Sequence, residues 1–174
     1  MMRKPITDDS GATAIEFALL AIPYVFLMVG IIELAIMFAA GTMMEGATSS
    51  AARMIRTGQI QQGASDESGR EAAFRQAFCN FATALIRCED VVIEARQLTN
   101  FSDAGSEGAD YDEEGNMESS GFETGDSNDK VLIRTFYRYE FMTPFIGRLL
   151  GGEDSAFDFT STIILQTEPY EFEN

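Results

Sequence analysis

Residues 17–40 form a run of 24 residues in which Glu33 is the only charged side chain. A helix rises about 1.5 Å per residue, so a run of this length crosses the roughly 30 Å hydrocarbon layer of a bilayer. A cleaved secretory signal has an apolar core of only about 7 to 15 residues, so that interpretation is disfavoured, although "AAG" at 39–41 resembles a cleavage site. The run predicts one transmembrane anchor helix.

The residues around the run predict its direction. Arg3 and Lys4 are the only basic residues before it, and orientation follows Lys and Arg rather than net charge. We therefore expect the N-terminus in the cytoplasm and the residues after about 41 on the outer side of the membrane. Glu16 and Glu33 lie about 25 Å apart along a helix, so they are expected near opposite interfaces.

The composition excludes several classes of function. The formal net charge of −16 argues against binding to nucleic acid or to an anionic lipid surface. The chain has no histidine, which excludes Ser/His/Asp catalysis and histidine-based metal sites. No enzymatic activity, catalytic residue or cofactor is expected.

The residues before the run carry a motif. Gly11 is followed by Ala12, three further residues, then Glu16 and Phe17. This arrangement resembles the processing site of type IV prepilins, which implies that a membrane prepilin peptidase cuts after Gly11, removes a leader of residues 1–11 and exposes Ala12. Glu16 would then pair with the terminal amino group of a neighbouring subunit. The alternative is that Glu16 is an ordinary interfacial acid.

Two further stretches point to one branch of that family. They are "AARMIRTGQIQ" at 51–61 and the terminal "TIILQTEPYEF" at 162–172, and the residues that fit the family pattern are Arg53, Arg56, Gly58, Glu168, Pro169 and Tyr170. Together with the processing motif they resemble TadE-like minor pilins (pseudopilins) of tight-adherence (Flp) type IV pilus systems. Phe17 departs from the usual tyrosine, and Gln166 and Thr167 stand where arginine and asparagine are usual. The resemblance implies a non-catalytic role in pilus assembly, surface adhesion or secretion, with other pilins and pilus assembly proteins as partners.

A head domain is predicted after the anchor. Residues 12–57 are expected to form a transmembrane and spine helix that ends at Gly58, and residues 58–174 to form an extracytoplasmic head. The small face of Ala47, Ser50, Ala51 and Met54 can pack on the protein's own sheet or on another helix. A second helix is predicted over about 69–86 from the helical spacing of its alanines and phenylalanines.

The two cysteines, Cys79 and Cys88, are expected to form a disulfide in an oxidising compartment. A disulfide requires Cα atoms about 4.4 to 6.8 Å apart, so the second helix must end before Cys88 and the chain must fold back. Two free buried thiols are the alternative.

Three alternating segments, 91–98, 131–142 and 156–167, predict a three-stranded antiparallel sheet. Packed on the helices, the sheet gives an α+β, pilin-like head. The connection at 143–152 is expected to form a helical turn with Phe145, Ile146 and Leu149 on the core.

Residues 102–129 contain ten acidic residues and no lysine or arginine. This composition predicts a flexible, solvated acidic loop. Asp110, Asp112 and Glu114 begin like a calcium loop, but Gly121 stands at the twelfth place, where a bidentate glutamate is required, so a calcium site is a weak candidate.

Two other functions remain open at this stage. The chain could be a permanently anchored periplasmic module whose acidic loop captures a basic partner or a cation. A membrane-tethered enzyme is disfavoured because no acid/base constellation is evident beyond scattered carboxylates.

Overall fold

The computed structural model describes residues 10–82 and 85–170. The first helix, α1, runs over Ser10–Arg56 and contains Pro23 without ending there. It ends because Gly58 adopts a left-handed conformation at φ 77°, which glycine tolerates without steric cost. The predicted spine helix is thus present, to within one residue of its expected end.

The two halves of α1 have different surroundings. The side chains described between residues 11 and 32 are exposed or, at Ala21 and Gly30, partly exposed. From Glu33 onward one face is buried, at Glu33, Met37, Ala40, Met44, Ala47, Ala51 and Ile55. These positions recur every three or four residues, as expected for a helix with one apolar face on a core. Of the predicted small face, Ala47 and Ala51 pack within the head, whereas Ser50 is exposed.

The sheet has the predicted three strands. They are β1 (Val92–Leu98), β4 (Lys130–Glu140) and β5 (Ala156–Gln166), in the spatial order β1-β4-β5 with antiparallel pairing throughout. A hydrogen bond of 2.7 Å between the hydroxyls of Thr48 and Thr135 ties α1 to the central strand. The predicted α+β class, with a long N-terminal apolar helix and a three-stranded antiparallel sheet, is confirmed.

Two more helices complete the core. A short helix, α2 (Gln59–Gly63), follows Gly58, and α3 (Glu67–Ala82) packs on α1 and buries Phe74 and Phe78. The described part of α3 ends at Ala82, earlier than the predicted Ile86. The earlier end lets the chain return, and Cys79 and Cys88 form the predicted disulfide with their Cα atoms 5.8 Å apart.

The guanidinium of Arg75 fixes the same turn. It donates to the carbonyl oxygens of Cys88 and Val91, at 3.1 and 2.8 Å. The end of α3 is thereby attached to the start of β1 by one covalent bond and two hydrogen bonds.

The acidic segment contains elements that the prediction of a flexible, solvated loop did not include. Residues 102–129 contain most of a 3₁₀ turn (Phe101–Gly105) and a small antiparallel ribbon of β2 (Asp110–Tyr111) and β3 (Met117–Glu118). Met117 and Phe122 are buried, and Glu123 donates its N–H to the carbonyl oxygen of Ala95 on β1. Met117 and Phe122 are the two buried apolar side chains of this segment, and its high content of acidic residues gave no indication of their burial.

The expectation for the 143–152 connection is correct for the helix and wrong for most of its side chains. The helix α4 spans Pro144–Leu150, and Ile146 is buried. Phe145 and Leu149 are 62% and 71% exposed, so they face away from the core.

Candidate functional site

The N-terminal half of α1 carries an extended exposed apolar surface. Phe17, Leu20 and Tyr24 are 72%, 75% and 64% exposed, and all lie before the point where the head begins to cover the helix. Among the described residues, α1 is the one helix long and apolar enough to cross a membrane. An exposed apolar surface of this kind marks a contact with lipid or with other proteins.

The residues of the predicted processing motif lie at the beginning of this surface. Gly11 is in the first turn of α1, where no group of the described residues is close enough to contact an added methyl, and Glu16 and Phe17 follow on the same helix. Ala12 lies in the helix backbone, and residues 1–9 of the predicted leader lie outside the described residues. Glu16 is exposed and pairs with no cation of the described chain.

The family-motif residues from the two ends of the head meet at the C-terminus of α1. The Nε of Arg56 lies 3.3 Å from a carboxylate oxygen of Glu168, and the backbone N–H of Glu168 donates to the carbonyl oxygen of Arg56 at 2.8 Å. The ring of Tyr170 lies over Gly58, so that a methyl group added at Gly58 would be 2.8 Å from its Cδ1. Pro169 links these two contacts.

Further hydrogen bonds attach the C-terminal segment to the head. Thr167 donates its N–H to the carbonyl oxygen of Asp129, and Tyr170 donates its N–H to the hydroxyl of Ser127. Burial raises the pKa of the Tyr170 hydroxyl, so the ring stays neutral over the physiological range. We call this cluster of Arg56, Gly58, Glu168, Pro169 and Tyr170 the C-terminal clasp.

Arg53 does not join the clasp. Its side chain is exposed, and its carbonyl oxygen accepts hydrogen bonds from the backbone and hydroxyl of Thr57. A cation in the last turn of a helix interacts favourably with the helix dipole. The favourable interaction of Arg53 with the helix dipole at the end of α1 therefore explains its position without a contact to the clasp.

The acidic segment is held by arginines of the sheet. Glu94 on β1 is fully buried and pairs with Arg134 on β4 at 3.2 Å, directly across the ladder, and with Arg96. Arg96 also contacts the carboxylates of Glu107 and Asp110, at 2.8 and 3.2 Å. These charges satisfy one another, so the network stabilises the packing of the loop on the sheet.

The calcium candidates have separate partners. Asp110 pairs with Arg96, Asp112 accepts the backbone and side-chain N–H groups of Asn116, and the carbonyl oxygen of Glu114 accepts from Arg138. The hydrogen bonds from Asn116 lower the pKa of Asp112. In the part of the chain that the structure describes, no group of three or more acidic or cysteine side chains is arranged to hold a metal ion.

One contact was not predicted from the sequence. The Oε1 of Glu33 accepts the backbone N–H of Thr143, the residue before α4, at 2.8 Å, and Glu33 is 2% exposed. Its Oε2 is buried without a hydrogen-bond partner among the described residues. The signal in the sequence was the lone acid within the apolar run, but its partner is 110 residues away.

Comparison with known proteins supports the resemblance. The family model for TadE-like proteins matches residues 11–53, the segment that holds the predicted processing motif, the exposed apolar half of α1 and most of the rest of that helix. No curated protein and no solved structure matches the chain. The predicted resemblance is therefore confirmed for residues 11–53 of α1, over which the chain is similar to TadE-like proteins.

Proposed function

We propose that this protein is a non-catalytic minor pilin, or pseudopilin, of a tight-adherence (Flp) pilus system. It is inserted in the inner membrane by α1, cut after Gly11 by a prepilin peptidase, and incorporated with other pilins and assembly proteins into a pilus used in adhesion or secretion. The TadE-like match over residues 11–53 links the chain to this system.

The observation that carries the proposal is the division of α1 into two halves. The C-terminal half packs one face on the head, whereas the N-terminal half projects about 33 Å at 1.5 Å per residue with its side chains exposed. A projecting apolar helix with a folded head can sit in a bilayer and, once its charged leader is removed, pack among equivalent helices in a fibre.

Glu16 has a specific part in this proposal. A carboxylate that enters an apolar helix bundle without a cation is costly. Cleavage after Gly11 creates a cationic amino group at Ala12, and pairing of Glu16 with that group on a neighbouring subunit would set the register of the helices.

The topology follows from the same proposal. Arg3 and Lys4 remain in the cytoplasm, and the head lies in the periplasm, where an oxidising environment favours the disulfide between Cys79 and Cys88.

The test compares two glutamates on α1. Glu16→Gln should leave cleavage intact and reduce the protein's abundance in sheared surface fibres, since the buried amino group loses its counter-ion. Glu45→Gln is the matched control, because Glu45 is an exposed glutamate on the part of α1 that carries the head, and it should change neither. Replacing Gly11 with phenylalanine should block cleavage itself. Normal size and normal fibre abundance of the Glu16→Gln protein would contradict the pairing.

N-terminal sequencing of the membrane-bound protein separates this function from a permanently anchored periplasmic module. An N-terminus at Ala12 supports the pilin, and one at Met1 or Met2 supports the fixed anchor. The fixed-anchor alternative depended on a free acidic loop, and the contacts of Glu107 and Asp110 with Arg96 weaken it.

A further inference from the structure

The base of the head carries an apolar surface that the core does not use. Residues 142–150, here called the foot, comprise Met142, Thr143 and α4. Met142, Phe145 and Leu149 are 68%, 62% and 71% exposed, and Leu150 is exposed as well. The foot thus presents four large apolar side chains outward while burying only Ile146 among its large ones.

The foot lies against the membrane-spanning part of α1. The rings of Phe145 and Phe26 are 5.5 Å apart, and Ile146 packs on α1 where Gly30 leaves space, 3.4 Å from the position of an added methyl. Glu33 accepts the N–H of Thr143 at the beginning of α4. The foot is therefore level with residues 26–33, inside the apolar run.

Helix geometry places this level within the bilayer. A span of the roughly 30 Å hydrocarbon layer takes about 20 residues, so a helix that enters just after Glu16 leaves the layer near Ile36. Residues 26–33 precede Ile36 on the helix, so they lie in the outer half of the hydrocarbon layer. Side chains packed beside them are at the depth of lipid acyl chains.

We propose that the foot is embedded in the outer leaflet of the same bilayer that α1 crosses, so that the base of the head, and not α1 alone, contacts lipid. Continuity with the span identifies the occupant as lipid, because the apolar surface of the foot continues directly from the exposed surface of α1.

The embedded foot also explains how an acid is tolerated within the run. Glu33 would face lipid on a lone helix, which is costly. Here the foot covers it and supplies the N–H of Thr143, so the carboxylate is 2% exposed. Arg148, which is exposed on α4, can extend its guanidinium to the headgroups.

This inference rests on the membrane-spanning role proposed for α1, and not on processing or entry into a fibre. The experiment uses the full chain with its native disulfide, reconstituted in phosphatidylcholine vesicles, with an environment-sensitive fluorophore (NBD) on one introduced cysteine. Leu149→Cys and Phe145→Cys report on the foot. Leu20→Cys reports on the anchor, and Glu113→Cys, at the exposed turn of the β2–β3 ribbon, is the aqueous control.

We expect the two foot labels to show blue-shifted emission, quenching by lipids with a nitroxide on the acyl chain, and loss of quenching by aqueous iodide, as for Leu20→Cys. The Glu113→Cys label should show the opposite pattern. Iodide quenching of the foot labels equal to that of Glu113→Cys overturns the inference, and so does a blue-shifted foot label that nitroxide lipids do not quench, because protein then covers it. If Leu20→Cys is lipid-quenched and the foot is not, only this inference fails. If Leu20→Cys is not lipid-quenched, the anchor fails and the inference with it.

Discussion

Replacement of Gly58 by alanine should open the C-terminal clasp. Gly58 has φ 77°, and a methyl group there would lie 2.8 to 2.9 Å from three ring carbons of Tyr170. Carbon atoms do not pack this closely, so either the ring moves off the helix end or the end of α1 shifts. The ring moves more readily, since it is only partly buried.

The cost has two parts. An alanine in the left-handed conformation costs about 1 to 2 kcal/mol relative to glycine. Full burial of a large apolar side chain is worth about 1.5 to 3 kcal/mol, and roughly half of that, about 0.8 to 1.5 kcal/mol, applies to the partly buried ring of Tyr170. We expect Gly58→Ala to lower the free energy of unfolding by about 2 to 3.5 kcal/mol.

Urea unfolding of the full chain in detergent micelles, followed by the near-ultraviolet circular dichroism of the tyrosines, measures this loss. The same substitution in a Tyr170→Ala background should cost only the backbone part, about 1 to 2 kcal/mol. Gly58→Asn is the matched control, because asparagine accepts the left-handed conformation better than alanine while keeping the clash. It should be harmful with Tyr170 present and nearly neutral without it.

Equal losses for Gly58→Ala in the two backgrounds would refute the reasoning. The ring would then not lie over Gly58, and the family-motif residues at the two ends of the head would not be joined in one clasp.

Three further predictions concern the head. Cys79→Ser should lower the free energy of unfolding by about 2.5 to 3 kcal/mol in the same urea assay, because the disulfide closes a short loop in the unfolded chain. Arg134→Met should cost about 3 kcal/mol, because it leaves the buried carboxylate of Glu94 with one cation fewer. Asn116→Ala should raise the pKa of Asp112 toward its ordinary value, because one of the hydrogen bonds that lower it is lost, as a carboxyl NMR titration would show. Since the pKa of Asp112 is lowered in the folded protein, its ionised carboxylate stabilises the fold above about pH 4, and this stabilisation is lost as the pH falls through the folded pKa. Asn116→Ala should weaken this dependence of stability on pH.

Each of these has a contrary result. Two alkylatable thiols in the unreduced native protein would contradict the disulfide, as mass spectrometry can show. Arg138→Met is the control for Arg134→Met, since its partner Asp154 is exposed, and it should cost at most about 1 kcal/mol; equal losses would contradict the special role of burial. An unchanged pKa of Asp112 in the Asn116→Ala protein would contradict the hydrogen-bond assignment.

The sequence by itself determined the elements whose signals are local. An apolar run of 24 residues is long enough for a helix that could cross a membrane, and Gly58 marks the end of that helix because glycine accepts positive φ. Alternation at period two predicted the three strands to within one or two residues, and the spacing of Cys79 and Cys88 required the chain to turn back. These features depend on neighbours a few residues apart, so they can be derived from the sequence.

Tertiary structure alone decided which distant residues meet. The acidic segment reads as disordered by composition, yet Phe122 and Met117 reach the core and Arg96 and Arg134 bind its polar groups. α4 has an apolar composition, but whether its side chains face the core or the outside depends on its position beside Phe26 and Gly30 of α1, which local periodicity does not encode. The contacts of Glu168 and Tyr170 with the end of α1 were also not predictable, because they join segments more than a hundred residues apart. These segments meet when the whole sheet packs on the helix. Each contact becomes favourable only after the other contacts have brought the two segments together.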